Sequence, residues 1–334
     1  MTAMNTVSIC VAGGGSWGTA LAHLLASGGH DVRLWLRDAA VARAVNERRE
    51  NPRYLPGFAL HENLEAGTDP ALLGRSVVVL AIPCQQLRGW LTRQASFFRP
   101  GVVLVNTAKG MEEGSLAPCS SVALDCLGHL APRYAVLSGP SFAAEVLRGL
   151  PTAVVLACRD EELGHRLRGI FSGPAFRCYS STDVTGVEMG GAIKNVMAIA
   201  AGLCDGLGLG HNSRAALITR GLAEMSRLGA ACGAAAQTFM GLSGLGDLTL
   251  TCTGDLSRNR QVGLRLGRGE SLEHITRSLG AVAEGVRTTT AIHQLGLRLG
   301  VDAPLTAAVY GILHAGHCPQ QALRALMARD LRDE

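Results

Sequence analysis

Only two lysines occur in the chain, Lys109 and Lys194; the other 29 of the 31 basic residues are arginine. Either residue serves on a solvated surface, so a position that still holds lysine is a candidate for chemistry a guanidinium cannot do. An ammonium is compact and can give up its proton; a guanidinium effectively cannot. Chance retention would leave the same count, so the surroundings matter. Lys194 lies in Gly190-Gly191-Ala192-Ile193-Lys194-Asn195-Val196-Met197-Ala198, with small or apolar flanks. A lysine there is either snorkelling or functional. Desolvation would lower its pKa from about 10.4 and fit it to exchange a proton with a substrate oxygen near neutral pH. Lys109 ends Asn106-Thr107-Ala108-Lys109, just past a predicted strand. That is the carboxyl edge of a sheet, where doubly wound folds bind ligands.

A second group of residues reads as a phosphate cradle. Gly13, Gly15 and Gly18 give G-x-G-x-x-G directly after an apolar strand and at the opening of a helix. In a dinucleotide site the first glycine allows the tight turn, the second lets a pyrophosphate approach the backbone, and the third lets helix and strand pack closely. The free N–H groups at the helix start, near Ser16 and Trp17, attract phosphate charge. The next predicted strand ends Leu34-Trp35-Leu36-Arg37-Asp38. Arg37 stands where it would meet a 2′-phosphate, which favours NADP. Asp38 is adjacent and would serve the ribose of NAD, and a solvated surface arginine is the plain alternative for Arg37. Asp205-Gly206-Leu207-Gly208-Leu209-Gly210 looks similar but follows a helix, so it reads as a helix–helix connection, with Asn212 capping the next helix.

A third cluster runs from Gly244 to Arg260. Asp247 sits in a glycine-flanked turn and Thr251 follows four residues later. Ser257, Arg258 and Asn259 read as a capped helix start, where free N–H donors and a guanidinium suit a phosphate. An ordinary cap with a surface arginine is the alternative.

These residues need elements to hold them. Val7–Ala12, Asp31–Leu36, Ser76–Ile82, Val102–Val105, Ala135–Ser138 and Thr152–Ala157 are Val/Leu/Ile-rich without clean alternation. Such runs suit strands covered on both faces. With helices predicted over Ser16–Ala26 and Asp38–Arg48, the pattern is that of a doubly wound sheet. From about Asp183 strand-like runs nearly vanish, and helical spacing dominates, as in Arg214–Leu228, Ser257–Leu266, Thr288–Leu299 and Thr306–Ala315. The expected fold is α/β, with an N-terminal Rossmann-type domain over residues 1–182 and an all-α substrate and catalytic domain over 183–334.

Composition narrows the function. With 334 residues, 47% hydrophobic, the chain can build a large core. Its net charge of 31 − 27 = +4 and its 4% aromatic content give neither a basic stripe nor a stacking platform for nucleic acid. The N-terminus has no basic region before its apolar stretch, and no apolar run approaches the ~18 residues of a membrane span. A cytoplasmic protein is expected. The ten cysteines form no C-x-x-C pair and read as reduced core thiols. His314, His317 and Cys318 are close in sequence, but no acidic ligand accompanies them, so a polar helix edge is expected and no metal.

Together these segments resemble the bacterial-type NAD(P)-dependent glycerol-3-phosphate dehydrogenase family. The resemblance runs from end to end. It is carried by Gly13–Ala20, Asn106–Glu112, Ser138–Val146, Gly190–Gly202, Arg214–Met225, Gly244–Cys252, Ser257–Arg260 and Ala283–Thr289. It implies reversible reduction of dihydroxyacetone phosphate to sn-glycerol 3-phosphate by NADPH or NADH, with Lys194 as proton donor and acceptor. It implies that Lys109 touches both substrate and cofactor. It places Gly139, Ser141, Asp247, Thr251, Ser257, Arg258 and Asn259 around the substrate, and Ser16, Trp17, Arg37, Ala143, Arg258, Val282 and Glu284 at the cofactor. It further implies a homodimer that supplies glycerol phosphate for phospholipid synthesis. Two rivals stand beside it. A hydroxy-acid dehydrogenase of like architecture would need a carboxylate site. A non-catalytic dinucleotide sensor would not need Lys109, Lys194 and Asp247 together.

Overall fold

The structure, a computed structural model, describes residues 6–279 and 283–328. Val282 lies outside the described residues. Contacts divide the chain into a sheet unit, Met1–Ala108 with Cys119–Val184, and a helical unit, Lys109–Pro118 with Thr185–Glu334.

The sheet unit holds eight strands: β1 Ser8–Ala12, β2 Asp31–Trp35, β3 Glu65–Gly67, β4 Val77–Leu80, β5 Val103–Asn106, β6 Arg133–Ser138, β7 Thr152–Cys158 and β8 Phe176–Ser181. Their spatial order is β3-β2-β1-β4-β5-β6-β7-β8. The order reverses beside β1, which pairs in parallel with both β2 and β4. This is the switch point at which doubly wound sheets bind dinucleotides. β7 departs from the parallel pattern and runs antiparallel to β6, and β8 then pairs in parallel with β7. Six helices accompany the strands: α1 Ser16–Ser27, α2 Ala39–Arg48, α3 Cys84–Gln94, α4 Cys119–Leu127, α5 Ala143–Leu147 and α6 Glu161–Phe171. β1, β4 and β5 are buried almost throughout, which accounts for their unbroken apolar runs.

The helical unit is built round α7, Val184–Gly206, whose residues after Glu188 are nearly all buried. By composition α7 is apolar and long enough to cross a bilayer, but here it is a core helix. Around it lie α8 Gly210–Ala231, α9 Ala236–Met240, a π-helical turn Leu242–Gly246, α10 Asp247–Thr253, α11 Arg258–Gly267, α12 Leu272–Ser278, α13 Glu284–Leu299, α14 Pro304–His314 and α15 Pro319–Met327. The 205–210 segment does join two helices, but Asn212 lies inside α8. The cap position falls on Leu209, and Gly210 enters the helix with φ +82°. All ten cysteines are free thiols and seven are buried. Among the described residues no group of His, Cys, Asp and Glu is arranged to hold a metal.

Helices α7 and α11 touch backbone to backbone. A Cβ on Gly202 would collide with the Arg260 carbonyl, and one on Gly263 with the Ile199 carbonyl. Gly206 and Gly267 meet in the same way, with a Gly267 Cβ reaching 2.9 Å from Gly206 Cα. Only glycine allows two helix axes to come so close. The contact fixes α7, which carries Lys194, against α11, which carries Ser257–Asn259 at its start.

Gly263→Ala should therefore lower stability by about 1–3 kcal/mol through overpacking. Gly169→Ala should raise it by about 0.5–1 kcal/mol, because that exposed position in α6 has open space around it. Thermal unfolding of the two variants checks both signs.

Candidate active site

Two helical turns bring the charged cluster together. A Cβ on Gly190 would lie 2.6 Å from the Ser243 carbonyl oxygen, so the backbone of α7 rests directly on the π-helical turn. Four residues further along each segment stand Lys194 and Asp247. Residues four apart share a helix face, so the close approach at Gly190 is repeated one turn later as a side-chain contact. Lys194 Nζ donates to Asp247 Oδ1 at 2.6 Å and to Thr251 Oγ1 at 2.8 Å. Thr251 Oγ1 donates in turn to the Asp247 carbonyl, four residues back, at 2.6 Å. Lys109 Nζ donates to Asp247 Oδ2 at 2.5 Å. One carboxylate thus carries two ammonium groups, one on each oxygen.

The cluster is almost dry. Asp247 is 1% exposed and Lys194 6%. Burial is the largest influence on Lys194 and lowers its pKa; Asp247 raises it and Lys109 lowers it again, leaving it at about 8. Burial alone would raise the Asp247 carboxyl, but the charges and hydrogen bonds of the two lysines outweigh it and hold the group below the usual carboxylate range. The cluster carries two positive charges and one negative, hence a net +1.

A chain of side-chain amides extends from this cluster. Asn195 Nδ2 donates to the Lys109 carbonyl at 3.1 Å, and Asn259 Nδ2 donates to Asn195 Oδ1 at 2.9 Å. The Gly285 N–H then donates to Asn259 Oδ1 at 3.0 Å. A Cβ on Gly285 would sit 2.7 Å from that same oxygen. The relay ties the Lys109 segment to α7, to the first turn of α11 and to the start of α13, next to Glu284. Sequence reasoning missed Asn195 and Gly285. Asn195 reads as helix filler beside Lys194, and only the fold shows its amide between two polar partners. Ser257 is buried and caps α11, accepting from the Arg260 N–H at 3.2 Å, while Arg258 beside it is exposed. Arg260 itself is buried on Asp205 and Asp255.

The remaining sequence candidates belong to the sheet unit. Gly13 leaves β1 with φ +121°, and a Cβ there would lie 2.5 Å from the Ala81 carbonyl oxygen. A Cβ on Gly18 would strike the Gly13 carbonyl. Gly15, by contrast, has nothing within 4 Å of its Cβ direction, so the loop has open space where a phosphate would come. The first helical bond is Thr19 N to Gly15 O, which leaves the amides of Ser16, Trp17 and Gly18 outside the ladder. Neither a side-chain cap nor an acidic residue occupies this helix start. Trp17 Nε1 is buried without a partner. These features fit a dinucleotide pyrophosphate. Asn51, fully buried and unremarked in the sequence, supports the loop by donating to the Gly14 carbonyl at 3.0 Å and to Thr19 Oγ1 at 2.9 Å. Gly139 ends β6 with φ +140°, its Cα facing Val154; Ser141 Oγ donates to the Gly139 carbonyl at 3.0 Å, and Ala143 opens α5.

Comparison with known proteins matches both units. A family model described as NAD-dependent glycerol-3-phosphate dehydrogenase N-terminus matches residues 8–164, and one described as its C-terminus matches residues 183–324. The chain belongs to the NAD-dependent glycerol-3-phosphate dehydrogenase family. A relative named glycerol-3-phosphate dehydrogenase [NAD(P)+] from Desulfovibrio desulfuricans is 74% identical over 98% of this chain and 99% of its own length. One of the same name from Nitratidesulfovibrio vulgaris is 59% identical over 98% and 100%. The crystal structure of glycerol-3-phosphate dehydrogenase from Coxiella burnetii superposes with a TM-score of 0.92 at 40% identity, covering 97% of this chain and 99% of that one.

Within the cluster, Asp247 is what keeps the Lys194 proton in place near neutral pH. Asp247→Asn removes the charge that raises the Lys194 pKa and leaves burial and Lys109, both of which lower it. The loss of the protonated form should then begin below pH 8. In a pH–rate profile of ketone reduction, the descending limb should shift to lower pH in the variant, with a lower maximum.

Proposed function

We propose that the chain reduces dihydroxyacetone phosphate reversibly to sn-glycerol 3-phosphate, with Lys194 as the general acid in reduction and the general base in oxidation. The observation that carries the reading is the buried contact of Lys194 with Asp247 and Thr251 at 2.6 and 2.8 Å. When bound, the reduced nicotinamide supplies the hydride. As negative charge grows on the ketone oxygen, the Lys194 ammonium stabilises it and delivers a proton from Nζ. Thr251 holds Nζ in one orientation, and Lys109, on the other oxygen of Asp247, adds a second positive charge. Arg258 and the N–H groups at the start of α11 bind the phosphate, with Asn259 beside them; Gly139 and Ser141 complete the substrate contacts in this reading. Phosphate binding, remote from the reacting carbon, then serves to position it.

The reading extends to the cofactor. Gly13, Gly15, Gly18, Ser16 and Trp17 would hold the pyrophosphate side, and Ala143, Val282 and Glu284 are further contacts. NADP is favoured over NAD because Arg37 is exposed at the end of β2 and makes no hydrogen bond or ion pair among the described residues. The same reading has the protein working in the cytoplasm as a homodimer and feeding phospholipid synthesis.

Purified protein mixed with dihydroxyacetone phosphate should consume reduced nicotinamide, faster with NADPH than with NADH. Lys194→Ala should lower kcat by at least about 10³ while NADPH still binds. Loss of NADPH binding in that variant, or a native protein that ignores dihydroxyacetone phosphate and reduces a keto acid instead, contradicts the assignment. Because Lys194 has a pKa of about 8, its protonated form is present below pH 8 and is lost above it. Reduction should therefore decline above pH 8, while oxidation of glycerol phosphate, which needs the free amine, should rise through the same range. Parallel limbs in the two directions would count against Lys194 as the shared proton carrier.

A further inference from the structure

The charge at the end of β2 is not held by Arg37 alone. Asp38 follows it, and in a dinucleotide fold a carboxylate here would bond the ribose hydroxyls of NAD. In this structure both of its oxygens already have partners. Oδ1 accepts from the Ala40 and Val41 N–H groups at 3.0 and 3.4 Å as the N-cap of α2. Oδ2 accepts from Arg53 Nη1 at 3.2 Å. The Ala40 and Val41 amides are the main reason the carboxyl lies below its usual pKa, with Arg53 adding to them.

Arg53 is distant in sequence, yet its turn is sewn onto the phosphate loop. Asn51 reaches the Gly14 carbonyl and Thr19, as above; Tyr54 N donates to Asn51 Oδ1 at 3.3 Å, and Ser16 Oγ donates to the Tyr54 carbonyl at 3.2 Å. The Arg53 guanidinium lies 5.4 Å from the Tyr54 ring centroid, and its side chain is 55% exposed. An exposed ion pair of this kind adds little to stability, so the fold does not require an arginine there. The guanidinium has five N–H donors, and the contact with Asp38 uses one of them. Two guanidinium groups and one carboxylate leave a net +1 at this spot. That suits a phosphomonoester, which guanidinium groups recognise in a planar fork, and offers an uncharged ribose diol much less.

We propose that Arg53 joins Arg37 in gripping the 2′-phosphate of NADPH, and that Asp38 serves to orient Arg53 and not to read a ribose. This inference rests on the NADP preference argued above.

The test is equilibrium titration of the full chain with NADPH, NADH and the fragment 2′,5′-ADP, with thermal unfolding to verify that each variant is folded. Arg53→Gln should weaken NADPH and 2′,5′-ADP about tenfold relative to NADH, and Arg37→Gln should do the same. Asp38→Asn keeps the capping acceptor on Oδ1 but loses the oxygen that orients Arg53, so it should weaken NADPH and 2′,5′-ADP severalfold and leave NADH unchanged. If Arg37→Gln loses NADPH selectivity and Arg53→Gln does not, the role of Arg53 is overturned while the NADP reading stands. If the native protein binds NADH more tightly than NADPH, the reading beneath the proposal fails. If Asp38→Asn loses NADH affinity tenfold, the carboxylate holds a ribose after all, and the proposal is overturned.

Discussion

The helical unit is organised around one buried carboxylate that bears two ammonium groups. Neither Asp247 nor Lys194 would keep its charge there alone. An isolated buried ion would shift its pKa and become neutral. Asp247 stays ionised because Lys109 and Lys194 face its two oxygens, and Lys194 keeps its proton near neutral pH because Asp247 faces it. Asp247 and Lys194 therefore depend on each other, and the surrounding backbone must deliver three side chains from three separate segments to within hydrogen-bond distance.

Glycine supplies much of that delivery. At Gly190 the core helix rests on the carbonyl of Ser243, and at Gly202, Gly206, Gly263 and Gly267 it meets α11. A packed interior yields little to an added methyl, so each of these contacts sets a distance. The Lys109 segment is held by directed side-chain contacts: the Asn195 amide donates to the Lys109 carbonyl and accepts from Asn259, and Arg287 pairs with Glu113. Positioning by close packing and positioning by directed hydrogen bonds thus divide the work.

Much of this was legible in the sequence. The two lysines stood out because the chain otherwise uses arginine, and Gly13–Gly18 stood out because the strand, turn and helix around it agree. β1, β2 and β4–β7 were readable as apolar runs. β3 was not, having three residues and the sequence Glu-Ala-Gly, and β8 was hidden by alternating polar residues that face outward. Sequence spacing placed Lys109 just past a strand, but nothing local shows that Lys109–Pro118 groups with the residues from Thr185 onward. The amide relay was equally invisible, since an asparagine's partners depend on tertiary neighbours. Asp38 shows the same limit. Its identity allows a cap or a ribose ligand, and only the Ala40 and Val41 hydrogen bonds show that it caps α2 here.

In the proposed reaction the cluster's charge also explains why a lysine on a carboxylate would suit chemistry that runs both ways. The cluster would carry +1 before reduction, and a developing alkoxide would meet a charge of opposite sign. Were Nζ to give up its proton, the cluster would be Lys109 and Asp247 with a neutral amine, and its net charge would be zero. That state is tolerable in a dry site, so the enzyme need not strain to reach it. Without the carboxylate, Lys194 would be a stronger acid but would have no proton to give at neutral pH, because burial and Lys109 both push its pKa down. With the carboxylate unopposed by Lys109, the ammonium would hold its proton more tightly and resist transfer. A value of about 8 is the balance of the three, close enough to neutrality that donor and acceptor forms are both within reach.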